Sequence, residues 1–132
     1  MAFTYYEKSY VIIKQITKGV FMFYIEEVKS EIVKKLKPLN PDKIILFGSY
    51  SQGTANEESD IDLFILKDNL KLEEIRAYTR KARKSIRELI YKYQKGFDIL
   101  SAPTHFIEER EDYFYKVDIL EKGEVLYERA VG

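Results

Sequence analysis

One stretch, residues 43–66, constrains the fold of this chain more than any other. Four apolar residues, 44–47, make a run of strand length that stops at Gly48-Ser49. A short polar segment follows, and Asp60-Ile61-Asp62 then opens a second apolar run at residues 63–66. The pattern predicts two strands connected by a glycine turn and a loop.

The same stretch places acidic and phosphate-compatible groups near each other. Asp60 and Asp62 are two residues apart on a predicted strand, so their carboxylates point to the same face and repel each other. A divalent cation would relieve this repulsion, and Mg²⁺ commonly links carboxylates to substrate phosphates. The turn at Gly48-Ser49 offers close backbone approach, amide donors and a hydroxyl, which suit a phosphate. Together these features predict chemistry on a nucleoside triphosphate.

Length and composition limit the number of domains and the classes of function that are possible. With 132 residues, 45% of them hydrophobic, the chain can bury a core, and we expect a single domain over residues 1–132, with 1–20 an extension of undetermined structure. The formal net charge of +0 gives no general argument for nucleic-acid binding, so any basic patch must be local. No cysteine is present, which excludes disulfides, thiolate zinc sites and a cysteine nucleophile. We expect a cytoplasmic protein, because neither a signal peptide nor a bilayer-length apolar segment is visible.

Hydrophobic periodicity predicts the remaining elements. Helices are expected at 21–37, 70–94 and 105–121, and further strands at 97–100 and 125–127. The apolar seam of the middle helix is predicted to contain Leu72, Ile75, Thr79, Ala82, Ile86, Leu89, Ile90 and Tyr93. A second stripe beside it consists of Arg76, Arg80, Arg83 and Arg87. The first interpretation of this stripe is a solvated helix face, and the second is a surface for a partner.

The motif resembles a known signature. Gly48-Ser49, ten further residues and Asp60-Ile61-Asp62 are similar to the Gly-Ser…Asp-x-Asp pattern of the DNA polymerase β-like nucleotidyltransferase superfamily. The small size resembles the minimal nucleotidyltransferases, in particular the antitoxin of HEPN/MNT toxin–antitoxin pairs. The resemblance covers residues from about 20 to 128. It implies an α/β (α+β) fold, with a small mixed β-sheet and helices packed on it.

The resemblance also implies a role for each motif residue. Gly48 and Ser49 would bind the β- and γ-phosphates of ATP, and Asp60 and Asp62 would hold two Mg²⁺ ions. Asp98, on the predicted strand 97–100, would be the third carboxylate, which ligates one metal and helps to deprotonate the acceptor hydroxyl. The implied reaction is transfer of AMP from ATP to a tyrosine of the partner, a helical HEPN-type toxin.

Alternatives stay open at this point. Taken alone, an Asp-x-Asp pair is more often a solvent-facing strand start, and Asp98 could equally be an exposed strand residue. Many relatives have Gly-Ser-x-Ala-Arg-Gly in the first motif, whereas this chain has Gln52 at the arginine position, which supplies no positive charge to a triphosphate. A non-catalytic antitoxin that masks its partner is therefore the second hypothesis. Transfer to a small molecule is disfavoured, because the chain has no room for the helical domain that would hold the acceptor. A partner or a second copy in a homo-oligomer must then supply that surface.

Overall fold

A computed structural model describes residues 25–130 of the chain, so the predicted extension at 1–20 and the start of the first predicted helix lie outside the described residues. The helices are α1 (25–36), α2 (Ser49–Gln52), α3 (Ile75–Tyr93), α4 (Thr104–Glu108) and a π-helix (Phe114–Glu121). The strands are β1 (Lys43–Phe47), β2 (Ile61–Leu66), β3 (Phe97–Ala102) and β4 (Glu124–Glu128). Short 3₁₀ turns occupy Lys37–Leu39 and Leu72–Glu74.

The four strands form one mixed sheet in the order β3-β2-β1-β4. β1 is antiparallel to both β2 and β4, and β2 is parallel to β3. Parallel neighbours need a long crossover connection, and α3 provides it. The predicted fold class, a small mixed sheet with helices packed on it, is confirmed.

Both faces of the sheet are covered, which explains why residues 63–66 form a continuous apolar run instead of an alternating one. On one face, Ile61, Leu63 and Ile65 pack with buried residues of α1 and α3. On the other face, Phe64 and Leu66 pack with Ile107 of α4 and Ile119 of the π-helix. The even-numbered residues of β2 therefore lie on the side of the π-helix.

The predicted helix at 70–94 begins later than its periodicity indicated. The backbone first makes the 3₁₀ turn Leu72–Glu74, in which the Glu74 carboxylate accepts a 2.9 Å hydrogen bond from the Lys71 amide. This capping turn directs Leu72 into solvent, where its side chain is 67% exposed, while Leu70 is buried. The prediction that Leu72 belongs to the apolar seam is wrong.

The predicted helix at 105–121 is two separate helices. α4 ends at Glu108, and the chain resumes as the π-helix at Phe114. Phe114 meets Phe47 edge-on, with ring centroids 5.6 Å apart, and Tyr115 meets Phe64 at 6.2 Å. These contacts with the sheet override the α-helical periodicity of the segment. None of the helices within residues 25–130 has the length and apolarity required to cross a bilayer.

Candidate functional site

The turn after β1 lies directly against a carboxylate of β2. Phe47, the last residue of β1, pairs with Asp62 in the antiparallel register. Gly48 then adopts φ 78° and ψ −151°, a conformation that side chains disfavour. A Cβ atom on Gly48 would lie 3.2 Å from Asp62 Cγ and closer still to one carboxylate oxygen. Only glycine therefore permits the turn to approach Asp62 so closely.

Asp62 and Asp98 lie side by side on the two parallel strands. The register pairs Asp62 of β2 directly with Asp98 of β3, and both belong to the face that carries the π-helix. Burial, together with the negative charges of Asp98 and Asp60, raises the pKa of Asp62 to about 6. Negative charge is thus concentrated at this end of the sheet.

Asp60 is exposed just before β2, and a glycine just before the neighbouring strand β3 makes room for it. A Cβ atom on Gly96 would lie 2.5 Å from Asp60 Oδ1 and 3.0 Å from Asp60 Cγ. The Gly96 carbonyl also accepts a 2.9 Å hydrogen bond from the Ile61 amide. In the sequence, Gly96 is notable only because it follows the predicted helix 70–94. Its role in making room for Asp60 follows from the register of Ile61 with Phe97, which puts residues 60 and 96 at the same level.

Tyr50 connects α2 to the loop that leads into Asp60. Its hydroxyl lies 3.3 Å from the Ser59 carbonyl and 3.4 Å from the Asn56 carbonyl, within reach of a donated hydrogen bond. Burial raises the pKa of Tyr50, and the negative charge of Asp60 raises it further. Tyr50 therefore helps to position Asp60, a role that nothing in its sequence context indicated.

The glycine turn leads into a helix of only four residues. Gly48, not Ser49, is the N-cap of α2, and the Gly48 carbonyl accepts hydrogen bonds from Ser51 Oγ at 3.0 Å and the Gln52 amide at 3.1 Å. The amides of the first helical turn have no acceptor within the helix, so they face outward as potential donors. Gln52 is exposed at the end of α2 and brings no cation to the turn.

The three predicted metal ligands come from neighbouring positions at one end of the sheet: Asp60 before β2, Asp62 within it and Asp98 in β3. Their oxygens are of the type that Mg²⁺ prefers, and burial beside the negative charges of Asp98 and Asp60 raises the pKa of Asp62, so a cation here would stabilise its ionised form. The residues present therefore fit a hard divalent cation in donor type and charge. Within residues 25–130, no three His, Asp or Glu side chains converge tightly enough to form a ready-made metal site.

Comparison with known families identifies the family of this chain. A profile of the nucleotidyltransferase domain matches residues 25–126. The chain belongs to the nucleotidyltransferase domain family. The resemblance inferred from Gly48-Ser49 and Asp60-Ile61-Asp62 is thereby confirmed, and the match covers every candidate site residue of this nucleotidyltransferase.

Its relatives include short archaeal chains. A Methanocaldococcus jannaschii protein, whose name proposes a protein adenylyltransferase, is 36% identical over 101 residues, which cover 70% of this chain and 94% of the relative. A second protein of that organism with a similar name is 38% identical over 72 residues, or 52% of this chain and 48% of the relative. Among solved structures, a toxin–antitoxin with AMP-PNP matches with 25% identity and a TM-score of 0.46, covering 76% of this chain and 73% of that one. A mutant of the toxin–antitoxin MntA-HpeT matches with 23% identity, the same TM-score and the same coverage.

Proposed function

We propose that this nucleotidyltransferase transfers AMP from ATP, with Mg²⁺, to a hydroxyl of a partner protein. The observation that carries the proposal is the pairing of Asp62 with Asp98, with the Gly48 turn directly against Asp62. A site that combines a carboxylate pair and a glycine turn suits a nucleoside triphosphate with its divalent cation. The 36% identical relative, whose name proposes a protein adenylyltransferase, supports adenylyl transfer to a protein.

Each residue then has a defined task. Bound Mg²⁺ would neutralise the carboxylates and stabilise charge that develops on the phosphate oxygens. Asp60, Asp62 and Asp98 would hold the ions, and Gly48 and Ser49 would contact the β- and γ-phosphates through amides and a hydroxyl. The acceptor oxygen attacks the α-phosphorus, the bond from that phosphorus to the bridging oxygen breaks, and pyrophosphate leaves. Asp98, which is exposed, accepts the proton of the hydroxyl.

The partner completes the site. Residues 25–130 form one four-stranded sheet with its helices and include no separate unit for an acceptor, so we propose that the acceptor is a helical toxin of the HEPN type and that this chain is its antitoxin. ATP is a cytoplasmic metabolite, and we place the pair in the cytoplasm for that reason.

The test is incubation with α-labelled ATP, Mg²⁺ and the protein encoded by the adjacent open reading frame. We expect label on the partner, at least ~100-fold less with Asp62→Asn or Asp98→Asn, and undiminished label with Asp112→Asn, a carboxylate in the loop before the π-helix. Equal labelling by Asp62→Asn and the unmodified protein would overturn the proposal.

A masking antitoxin is the second candidate, and the exposed, uncharged Gln52 in the turn is the observation in its favour. The two candidates differ in one variant. Asp60→Ala with Asp62→Ala should still neutralise the toxin if masking is sufficient. If that double variant binds the toxin but no longer protects against it, neutralisation requires catalysis.

A further inference from the structure

A row of unpaired positive charge runs along α3. Its members are exposed and have no side-chain ion pair or hydrogen bond within the described residues: Arg76, Arg80, Arg83 and Arg87. On the same helix, in contrast, Glu88 pairs with Lys35 at 2.8 Å and Lys92 pairs with Glu31 at 3.1 Å. Because the whole chain has a formal net charge of +0, this row is a local excess of positive charge, and the described residues do not pair with it.

Three of these arginines line a groove beside an open strand edge. Arg76, Arg80 and Arg83 form one wall of a groove of about 440 Å³, and residues 99–101 of β3 form the other. β3 is an outer strand of the sheet and pairs only with β2 among residues 25–130. Leu100 on this strand is 43% exposed. An unpaired strand edge with an exposed apolar residue can receive an additional strand from another chain.

We propose that this groove, the α3/β3 groove, docks an acidic, extended segment of the acceptor protein. The proposal rests on the proposed function, because it names the surface that receives the protein substrate of the same site. Carboxylates match guanidinium groups in charge and in hydrogen-bond geometry. The exposed Leu100 and the strand edge favour a polypeptide over RNA.

Charge also argues against the chain's own N-terminal residues as the occupant. Residues 1–24 contain three lysines, Lys8, Lys14 and Lys18, against one acidic residue, Glu7. That segment is basic and would be repelled by the arginine row. Charge complementarity therefore favours a segment of another molecule over residues 1–24.

The geometry of the groove predicts the sequence of the docked segment. Thr79, near the start of α3, contacts Ser101 near the end of β3, so the helix and the strand run in opposite directions and the arginine row extends towards Asp98. Ile99 and Ser101 lie on the α3 side of β3, whereas Asp98 lies on the opposite side. In a strand added beside β3, residues on the α3 side meet the arginines, and the residues between them lie on the side of Asp98. The acceptor hydroxyl is therefore expected to have acidic neighbours one and three positions away.

The test uses a fluorescent nine-residue peptide, Val-Glu-Val-Glu-Tyr-Glu-Val-Glu-Val, and measures its binding by anisotropy. The matched variants are Arg80→Gln with Arg83→Gln and, as the control, Lys81→Gln with Lys84→Gln. Both remove two positive charges from exposed positions of α3, but the two lysines do not line the groove. We expect binding to weaken about fivefold in the arginine variant and less than twofold in the lysine variant.

Further experiments distinguish the possible ligands of the groove and separate the docking proposal from the proposed function. The same peptide with lysine in place of glutamate should not bind, and an RNA decamer should bind less tightly than the acidic peptide. Tighter RNA binding that is lost in the arginine variant, or self-association that is lost in it, would assign the groove to a different occupant and overturn the proposal.

Asp62→Asn, which should abolish transfer, is expected to bind the peptide normally. If the arginine variant labels the partner at the normal rate while Asp62→Asn does not, the proposed function stands and the docking proposal fails.

Discussion

At the scale of single residues, the charge on Asp62 opposes folding at neutral pH. Its pKa of about 6 in the folded chain lies above the ordinary value of 3.8, because it is partly buried and faces the negative charges of Asp98 and Asp60. A carboxyl with a raised folded pKa contributes its full stability below the unfolded value, and that contribution is lost as the pH rises through about 6.

Asp62→Asn should therefore stabilise the metal-free protein above pH 6. We expect a gain of about 1 kcal/mol at pH 7.5, reduced from the full effect because the side chain is partly solvated, and no gain below pH 4. Thermal unfolding in EDTA across this pH range measures it. Asp112→Asn, the same change from carboxylate to amide outside the candidate site, serves as the control. A loss of stability for Asp62→Asn at pH 7.5 would mean that Asp62 is not under electrostatic strain.

Gly96 tests whether the position of Asp60 matters. Gly96→Ala places a methyl group 2.5 Å from Asp60 Oδ1, so the carboxylate must move. We expect adenylyl transfer to fall at least ~10-fold, since small displacements of catalytic groups are costly. Gly53→Ala is the control for a glycine substitution that leaves Asp60 in place. Gly53 has φ 75°, and an added Cβ would have no atom within 4 Å other than those of its chain neighbours. We therefore expect Gly53→Ala to lose about 1 kcal/mol of stability with little direct effect on Asp60. Unchanged transfer by a folded Gly96→Ala protein would remove Asp60 from the site.

At the scale of elements, what the sequence predicted correctly depended on local signals. The apolar run 44–47 predicted the strand Lys43–Phe47, which begins one residue before it, because an apolar run with a glycine at its end has few alternatives. The fold class also followed from the motif, and the roles of Gly48, Ser49, Asp60, Asp62 and Asp98 stay predictions. The π-helix did not follow from the sequence, because Phe114 and Tyr115 are placed by rings from distant strands. The sequence also did not predict that Gly96 lies against the Asp60 carboxylate, because this contact depends on strand register, which the sequence does not specify.

The π-helix offers a test of packing with a matched neighbour. Ile119 is fully buried, at 0% exposure, against the face of the sheet that carries Ile45 and Phe64, whereas Leu120 is 39% exposed. Ile119→Ala should cost about 2–4 kcal/mol of unfolding free energy, since it leaves a cavity in that cluster. Leu120→Ala should cost less than about 1 kcal/mol. Chemical denaturation measures both, and equal costs would contradict the π-helical facing of the two side chains.

At the scale of the whole molecule, the candidate site joins parts of the chain that are distant in sequence. The turn after β1, the start of β2 and the start of β3 meet at one end of the sheet, so a ligand bound there would stabilise the fold as a unit. A ligand that binds only the folded state raises the free energy of unfolding in proportion to the logarithm of its concentration over its dissociation constant. The repulsion among carboxylates in the metal-free protein adds to this effect, because a cation removes it.

Mg²⁺ should therefore raise the melting temperature of this nucleotidyltransferase, and Mg²⁺ with a non-hydrolysable ATP analogue should raise it further. At ten times the dissociation constant the expected stabilisation is about 1.4 kcal/mol. Sodium chloride at matched ionic strength controls for screening, which should produce only a small shift. Asp62→Asn should begin with a higher melting temperature than the unmodified protein in EDTA and gain less from Mg²⁺, because the substitution removes both the repulsion and a ligand. An equal gain from Mg²⁺ in the two proteins would place the ion away from Asp62, and the role of Asp62 as a metal ligand would then be wrong.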